Sequence, residues 1–288
     1  MIAVNGTQLY HEVTGTSGTP VVLVHGSWGD HHNWDAVAPA LARSFRVLTY
    51  DRRGHSRSAR PEGPGSLRED AMDLAALLEA LGMVPAHVVG NSGGAAVALR
   101  LASERPELFR SLTVHEPPLF ALLADDPAMR APLAAVMERI GAVVELLRAG
   151  DAAGGARRFV ETIALGPGEW DRLPEATRQT FIANAPTFLD ETQDPEGMSV
   201  DLGALGQFTR PALLTRGEES PRFFPAVVAR LARALPHAAQ HLYAGAGHAP
   251  HMTHPAAWLE VVGGFIAGVD AVAGNAIGAG AARPAPAG

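Results

Sequence analysis

Gly90-Asn91-Ser92-Gly93-Gly94 sets one serine between glycines two positions away on either side. The run before it, His87-Val88-Val89, is of strand type, and Ala95 to Leu101 behind it is a good helix-forming run. A Gly-x-Ser-x-Gly turn between strand and helix forces the serine backbone into an unfavourable φ/ψ region and holds its hydroxyl clear of the sheet. The N–H of Gly93 then opens a helix whose first amides have no internal partner and can face an oxyanion. The same small residues would also suit a strand and helix that merely pack closely, so the motif needs agreement from its context.

A serine hydroxyl is a poor nucleophile at neutral pH and needs a base within hydrogen-bond reach. Among 12 histidines, His248 stands out: Ala244-Gly245-Ala246-Gly247-His248-Ala249-Pro250 is a flexible loop between the last expected strand and the last expected helix. The chain has no cysteine, which excludes disulfides, thiolate metal sites and a cysteine nucleophile. His31-His32 and the pair His251 and His254 supply no complete ligand set, so no metal is expected. His25 reads as a loop brace, and Asp51 with Arg52 and Arg53 as a structural turn network. Gly154-Gly155 lacks a phosphate-binding context.

The elements that must position these residues alternate. Ile2 to Val4 and Thr7 to Val13 flank the Asn5-Gly6 hairpin signal, and Val21 to Val24 is a continuous apolar run that ends in His25-Gly26-Ser27-Trp28. Phe45 to Tyr50 reads as a strand, Leu67 to Leu81 as a helix, and Leu112 to Glu116 as the strand after the serine turn. From Pro117-Pro118 to about Phe208 the pattern is helical only, with helices over 131–147, 156–165 and 175–188. Pro211 to Thr215 resumes the strands, followed by a helix over 224–235, a strand over 240–243 and a helix over 255–266. Alternation of this kind predicts a mostly parallel sheet covered on both faces, with ligands bound beyond the carboxyl ends of its strands. The expected division is a core over 1–117 and 209–268, a helical cap over 118–208, and a mobile Ala/Gly/Pro tail over 269–288.

The 288 residues are 47% hydrophobic and 18% charged, an ordinary globular balance with room for a large core. A formal charge of −7 disfavours nucleic acid and anionic membrane as partners. The N-terminal stretch has neither a basic flank nor a long apolar core, and Glu260 and Asp270 interrupt the apolar C-terminal region. A cytoplasmic protein without membrane contact is the expectation, and homodimer formation is compatible with it.

Taken together, four segments resemble the α/β-hydrolase family over nearly everything outside the cap and tail. They are His25-Gly26-Ser27-Trp28, Asp51-Arg52-Arg53-Gly54-His55-Ser56-Arg57-Ser58, Gly90 to Gly94, and Gly247-His248, in the family's order and spacing. His55-Ser56 departs from the second glycine often found in that loop. The resemblance implies an eight-stranded, mostly parallel twisted sheet with helices on both faces and an inserted helical cap. It implies Ser92 as nucleophile, His248 as general base, and the Ser27 and Gly93 amides as an oxyanion hole. The family's usual acid position falls on Ser220, in Gly217-Glu218-Glu219-Ser220-Pro221. Its other position, at the end of the strand after the serine, falls on Glu116, which is the choice here, with Glu218 and Glu219 as alternatives.

Trp28, Leu119 and Phe120 lie near the catalytic strand ends and are expected to line the substrate pocket. Most aromatics of the cap (Phe159, Trp170, Phe181, Phe188) should form its own core, with a minority in the pocket. The implied activity is hydrolysis of a small-to-medium hydrophobic carboxylic ester or lactone through an acyl-serine, without cofactor. Carbon–carbon hydrolysis, a cofactor-free rearrangement, or a ligand-binding member of the fold are the other readings.

Overall fold

Seven strands form one sheet in the computed structural model, which describes residues 1–281. The chain begins with a hairpin, β1 (Ile2–Val4) and β2 (Thr7–Leu9), that pairs only with itself. The main sheet comprises β3 (His11–Thr14), β4 (Pro20–Val24), β5 (Arg46–Tyr50), β6 (Ala86–Asn91), β7 (Phe109–His115), β8 (Ala212–Gly217) and β9 (Ala239–Tyr243). Their spatial order is β3-β5-β4-β6-β7-β8-β9, with β3 antiparallel and the others parallel.

The eight-strand expectation therefore becomes seven, because the chain leaves the hairpin at Tyr10. Ser58 Oγ takes the Tyr10 amide (2.9 Å) and Gln8 O accepts the Ala59 amide (2.8 Å), which splits the expected second strand in two.

The sheet separates two apolar clusters. Val22, Val24, Leu48 and Val88 face one, shared with the helices Leu67–Ala80 and Gly93–Glu104 and with the insert. Val21, Leu23, Val47 and Val89 face the other, against Trp34, Trp258, Val262 and Ile266. This period-two division explains why the strands are apolar throughout.

Between β7 and β8 the chain is helical without a strand. Its principal helices are Arg130–Arg148, Ala152–Phe159 extended by a wide turn to Ala164, and Glu175–Gln193, which carries Pro186 inside it. The last helix, expected to stop at Ile266, runs on from Gly264 to Ala281, while 282–288 of the expected tail lie outside the described residues. Alanine supplies helix propensity there, and Asp270 supplies an anchor. Asp270 accepts hydrogen bonds from Arg110 Nε (3.1 Å), His87 Nε2 (3.2 Å) and Thr19 Oγ1 (2.5 Å).

By length and composition alone Pro255–Gly274 could cross a membrane, despite Glu260 and Asp270. Trp258, Val262 and Ile266 are nevertheless buried against the sheet.

Asp270→Ala should lower stability in urea unfolding by about 1–2 kcal/mol, since it removes hydrogen bonds to partly buried cationic and polar partners. An unchanged midpoint would mean that this part of the helix contributes nothing to the fold.

Candidate active site

The sheet register gathers the predicted residues at one edge. Asn91 of β6 pairs with His115 of β7, and His115 pairs with Thr215 of β8, so Ser92 and Glu116 both lie one residue beyond the same row. Ser92 has φ 55° and ψ −123°, between the end of β6 and the helix Gly93–Glu104. Its amide donates to His115 O (2.9 Å), and its carbonyl accepts from the amides of Ala95 and Ala96.

Glycine is obligatory on both sides. A Cβ at Gly90 would strike Gly94 O and Ala95, and one at Gly94 would strike Val24 O and His25 O. The elbow is thus wedged against the end of β4, and the backbone strain at Ser92 is enforced by contacts that cannot give.

His248 Nδ1 donates to Glu116 Oε2 at 2.7 Å. Oε1 of the same carboxylate accepts the Gly217 amide at 2.7 Å, which ties the acid to the end of β8. Glu116 is fully buried and takes φ 46°, which turns its side chain across the strand ends. Burial alone would raise its pKa, but His115, whose Nε2 stands 3.5 Å from Oε2, and the His248 hydrogen bond hold the carboxyl well below the ordinary range. It is ionised and orients the imidazole.

The two alternatives do other work. Glu218 is exposed and accepts the Gly245 amide (2.9 Å), bracing the histidine loop, and Glu219 is exposed with its own amide bound to Ala246 O. Phe224 stacks on the His248 ring at 4.6 Å and Asn91 Nδ2 donates to His248 O (3.2 Å), which fixes that loop beside the end of β6.

Ser92, His248, Ser27 and Gly93 line one cavity. Among the described residues Ser92 Oγ and His248 are not hydrogen-bonded to each other; such bonds are commonly long without substrate and tighten when it binds. Ser27 lies beside Gly93, its hydroxyl 2.9 Å and its amide 3.2 Å from where a Gly93 Cβ would stand, with Arg52 Nη1 also 3.2 Å from that point.

Of the three expected pocket residues only Phe120 is in the lining; Trp28 and Leu119 are fully buried. Trp28 instead stacks between Phe159 and Phe188 of the insert, both at 4.9 Å, because its φ of 69° turns the ring away from the strand ends. The apolar wall comes from Phe120, Ile140, Phe159, Ile163, Phe188 and Phe224.

The polar part of the lining is absent from the sequence expectations. Arg52 donates to Asp70 Oδ2 (2.5 Å) and Glu191 Oε1 (2.9 Å), and all three line the cavity. Arg52 Nη1 and Asp70 Oδ1 are buried without a hydrogen-bond partner among the described residues. Burial raises the pKa of Glu191, and the Arg52 charge offsets part of that. The signal was the first arginine of Asp51-Arg52-Arg53. Arg53 does serve the turn, through Asp73 (2.7 Å), while both arginines reach the cavity lining.

His25 braces two loops, its Nε2 accepting the Arg52 amide (2.9 Å) and its Nδ1 donating to Gly26 O (2.8 Å). Among the described residues two groups have ligand atoms close enough for a metal, Asp30-His31-His32 and His115-Glu116-His248. In the first, His31 Nδ1 is committed to Asp51 (2.6 Å) and Asp30 caps the turn at His32; the second is the hydrogen-bonded Glu116–His248 pair with the neighbouring His115.

A sequence model of the alpha/beta hydrolase fold matches residues 19–255. The chain belongs to the α/β-hydrolase family. A putative carbamate hydrolase RutD of Azorhizobium caulinodans is 42% identical over 106 residues, 37% of this chain and 40% of that protein. The α/β-hydrolase thus spans well under half the length of that relative. A 2-hydroxymuconate semialdehyde hydrolase of Pseudomonas sp. strain CF600 is 26% identical over 268 residues, 89% of this chain and 90% of its own. Among solved structures, a thermophilic esterase of Thermogutta terrifontis superposes with a TM-score of 0.74 at 26% identity, covering 93% of this α/β-hydrolase and 96% of the esterase.

Two outcomes are expected. Glu116→Gln should cut kcat by on the order of 10³–10⁴-fold by releasing the His248 tautomer, while Glu218→Gln stays within about twofold; near-full turnover in Glu116→Gln would move the acid elsewhere.

The second concerns acid. Burial holds His25 down to about 4, His251 to about 3, and His55 and His115 below their usual value. In the unfolded chain these groups bind protons below about 6.5, so stability is full above that pH and falls as the pH drops toward 4. Each contributes a slope of up to about 1.4 kcal/mol per pH unit. His31, raised by Asp51 despite its burial, offsets one of them. Urea unfolding at pH 7 and pH 5 should show the loss, flattened by His251→Phe; equal stability at both would contradict it.

Proposed function

We propose that this chain is a serine hydrolase cleaving a small-to-medium hydrophobic carboxylic ester or lactone through an acyl-serine intermediate. The observation that carries the reading is the Glu116–His248 hydrogen bond beside a strained serine in a shared cavity. With Nδ1–H committed to Glu116, the lone pair of His248 sits on Nε2. That nitrogen takes the Ser92 proton as Oγ attacks the carbonyl carbon, and returns it to the leaving alkoxide as the C–O bond breaks. Water then attacks the acyl-serine with the same base, releasing the acid and restoring the hydroxyl.

The Ser27 and Gly93 amides take the negative oxygen of both tetrahedral intermediates. Each such donor is worth about 2.7–4 kcal/mol of transition-state stabilisation in comparable sites. The apolar lining, with its four phenylalanines and two isoleucines, favours a hydrocarbon acyl or alcohol part, and the Arg52-Asp70-Glu191 wall favours a polar group on the remainder. We keep the expectation of a cytoplasmic enzyme acting on a small molecule without cofactor.

The match along 89% of the chain to a 2-hydroxymuconate semialdehyde hydrolase supports carbon–carbon hydrolysis as the second reading. It would use the same base and nucleophile.

Purified wild type should hydrolyse p-nitrophenyl acetate and butyrate and be labelled by a fluorophosphonate, and Ser92→Ala should lose turnover by on the order of 10⁴-fold or more and all labelling. Equal ester turnover in Ser92→Ala, or a wild type that binds such esters and reacts with neither reagent, would overturn the reading in favour of another site or a receptor.

A further inference from the structure

Asn184 belongs to the insert helix Glu175–Gln193, yet its side chain is spent on the core. Its Nδ2 donates to Trp28 O (3.1 Å) and Gly29 O (2.8 Å), and its Oδ1 accepts the Ser56 amide at 2.6 Å. The residue is 1% exposed. Both carbonyls belong to the turn that carries Ser27, directly after β4.

That turn is not at rest. Trp28 has φ 69°, a region that a bulky L-residue enters only at a cost of order 1–3 kcal/mol and only when its surroundings over-determine it. The determinants come from the insert: Asn184 holds the two carbonyls, and Phe159 and Phe188 hold the ring. From the core, Ser56 Oγ donates to Asp30 Oδ2 (2.9 Å) at the far end of the turn. Glu116 and His248, by contrast, are held by β7, β8 and the histidine loop, with no contribution from the insert helix.

We propose that Asn184 is the positioning residue through which the helical insert sets the oxyanion hole. With the insert seated, the strained turn presents the Ser27 amide opposite Gly93; without the Asn184 bonds the turn relaxes while the Glu116–His248 pair stays assembled. Transition-state stabilisation is therefore coupled to closure of the insert over the cavity, and proton transfer is not. The proposal rests on the ester-hydrolase reading above. A merely structural asparagine would weaken the fold and leave the oxyanion contacts of folded enzyme unchanged.

The test compares wild type, Asn184→Ala and Asn184→Ser on p-nitrophenyl acetate and on the ester in which sulfur replaces its carbonyl oxygen, a poorer hydrogen-bond acceptor. Arg60→Ala is the control, because it removes a different contact to the same helix, Arg60–Asp190 at 2.7 Å. Both Asn184 variants should lose kcat on the oxygen ester by about 10- to 100-fold with KM within about twofold. Their preference for oxygen over sulfur should shrink correspondingly, and Arg60→Ala should keep the wild-type ratio.

Amide hydrogen exchange supplies a readout that needs no turnover. Residues 25–30 should lose protection in Asn184→Ala while 244–250 keep it. A wild-type oxygen-to-sulfur ratio in both Asn184 variants, or unchanged exchange at 25–30, overturns the proposal. Failure of wild type to turn over any ester strikes the ester-hydrolase reading alone, since the exchange arm still decides this one.

Discussion

A single hydrogen bond, from His248 to the buried Glu116 across 132 residues of sequence, is the contact on which the site depends. An ionised carboxylate without solvent is costly unless it is fully partnered. Glu116 meets that condition through the Gly217 amide, the His248 N–H and the nearby His115 ring. Remove one of these and the charge, the tautomer of His248, or the placement of the histidine loop fails with it. Parallel pairing supplies the partners, because the row Asn91-His115-Thr215 places the ends of three strands side by side.

Three of the five non-glycine residues with positive φ among the described residues stand at or beside the candidate site. Ser92, Glu116 and Trp28 all hold positive φ, and each stands within one or four residues of the end of a parallel strand. Close-packed neighbours enforce each: β4 carbonyls behind the elbow glycines, β8 behind Glu116, and the insert behind Trp28. The core therefore carries Glu116, His248 and Ser92, whereas the insert shapes the cavity wall and one turn.

Sequence made the core legible because its signals are local. An apolar run followed by small residues around Ser92 needs only neighbours to be read, and Glu116 could be preferred because Ser220 offers no charge at the alternative place. Among the described residues Ser220 Oγ is in fact buried without a partner, close to where a Gly217 side chain would stand. What sequence hid were contacts between distant segments. Asn184 is one polar residue on a helix full of them, and only docking reveals that it meets the Trp28 turn. Trp28 itself looked like a pocket residue from its position, but a backbone angle decided where the ring went. Asp270 stood in Ala- and Gly-rich sequence that has no pattern of its own, and its partners, Thr19, His87 and Arg110, come from three other places in the chain.

The most direct test of the central contact is proton NMR of the exchange-protected imidazole N–H. Wild type should give one strongly downfield resonance that couples to the Nδ1 of His248 and vanishes in Glu116→Gln but persists in Glu218→Gln. A spectrum without that resonance, or one in which it survives loss of the Glu116 charge unchanged, would contradict the account.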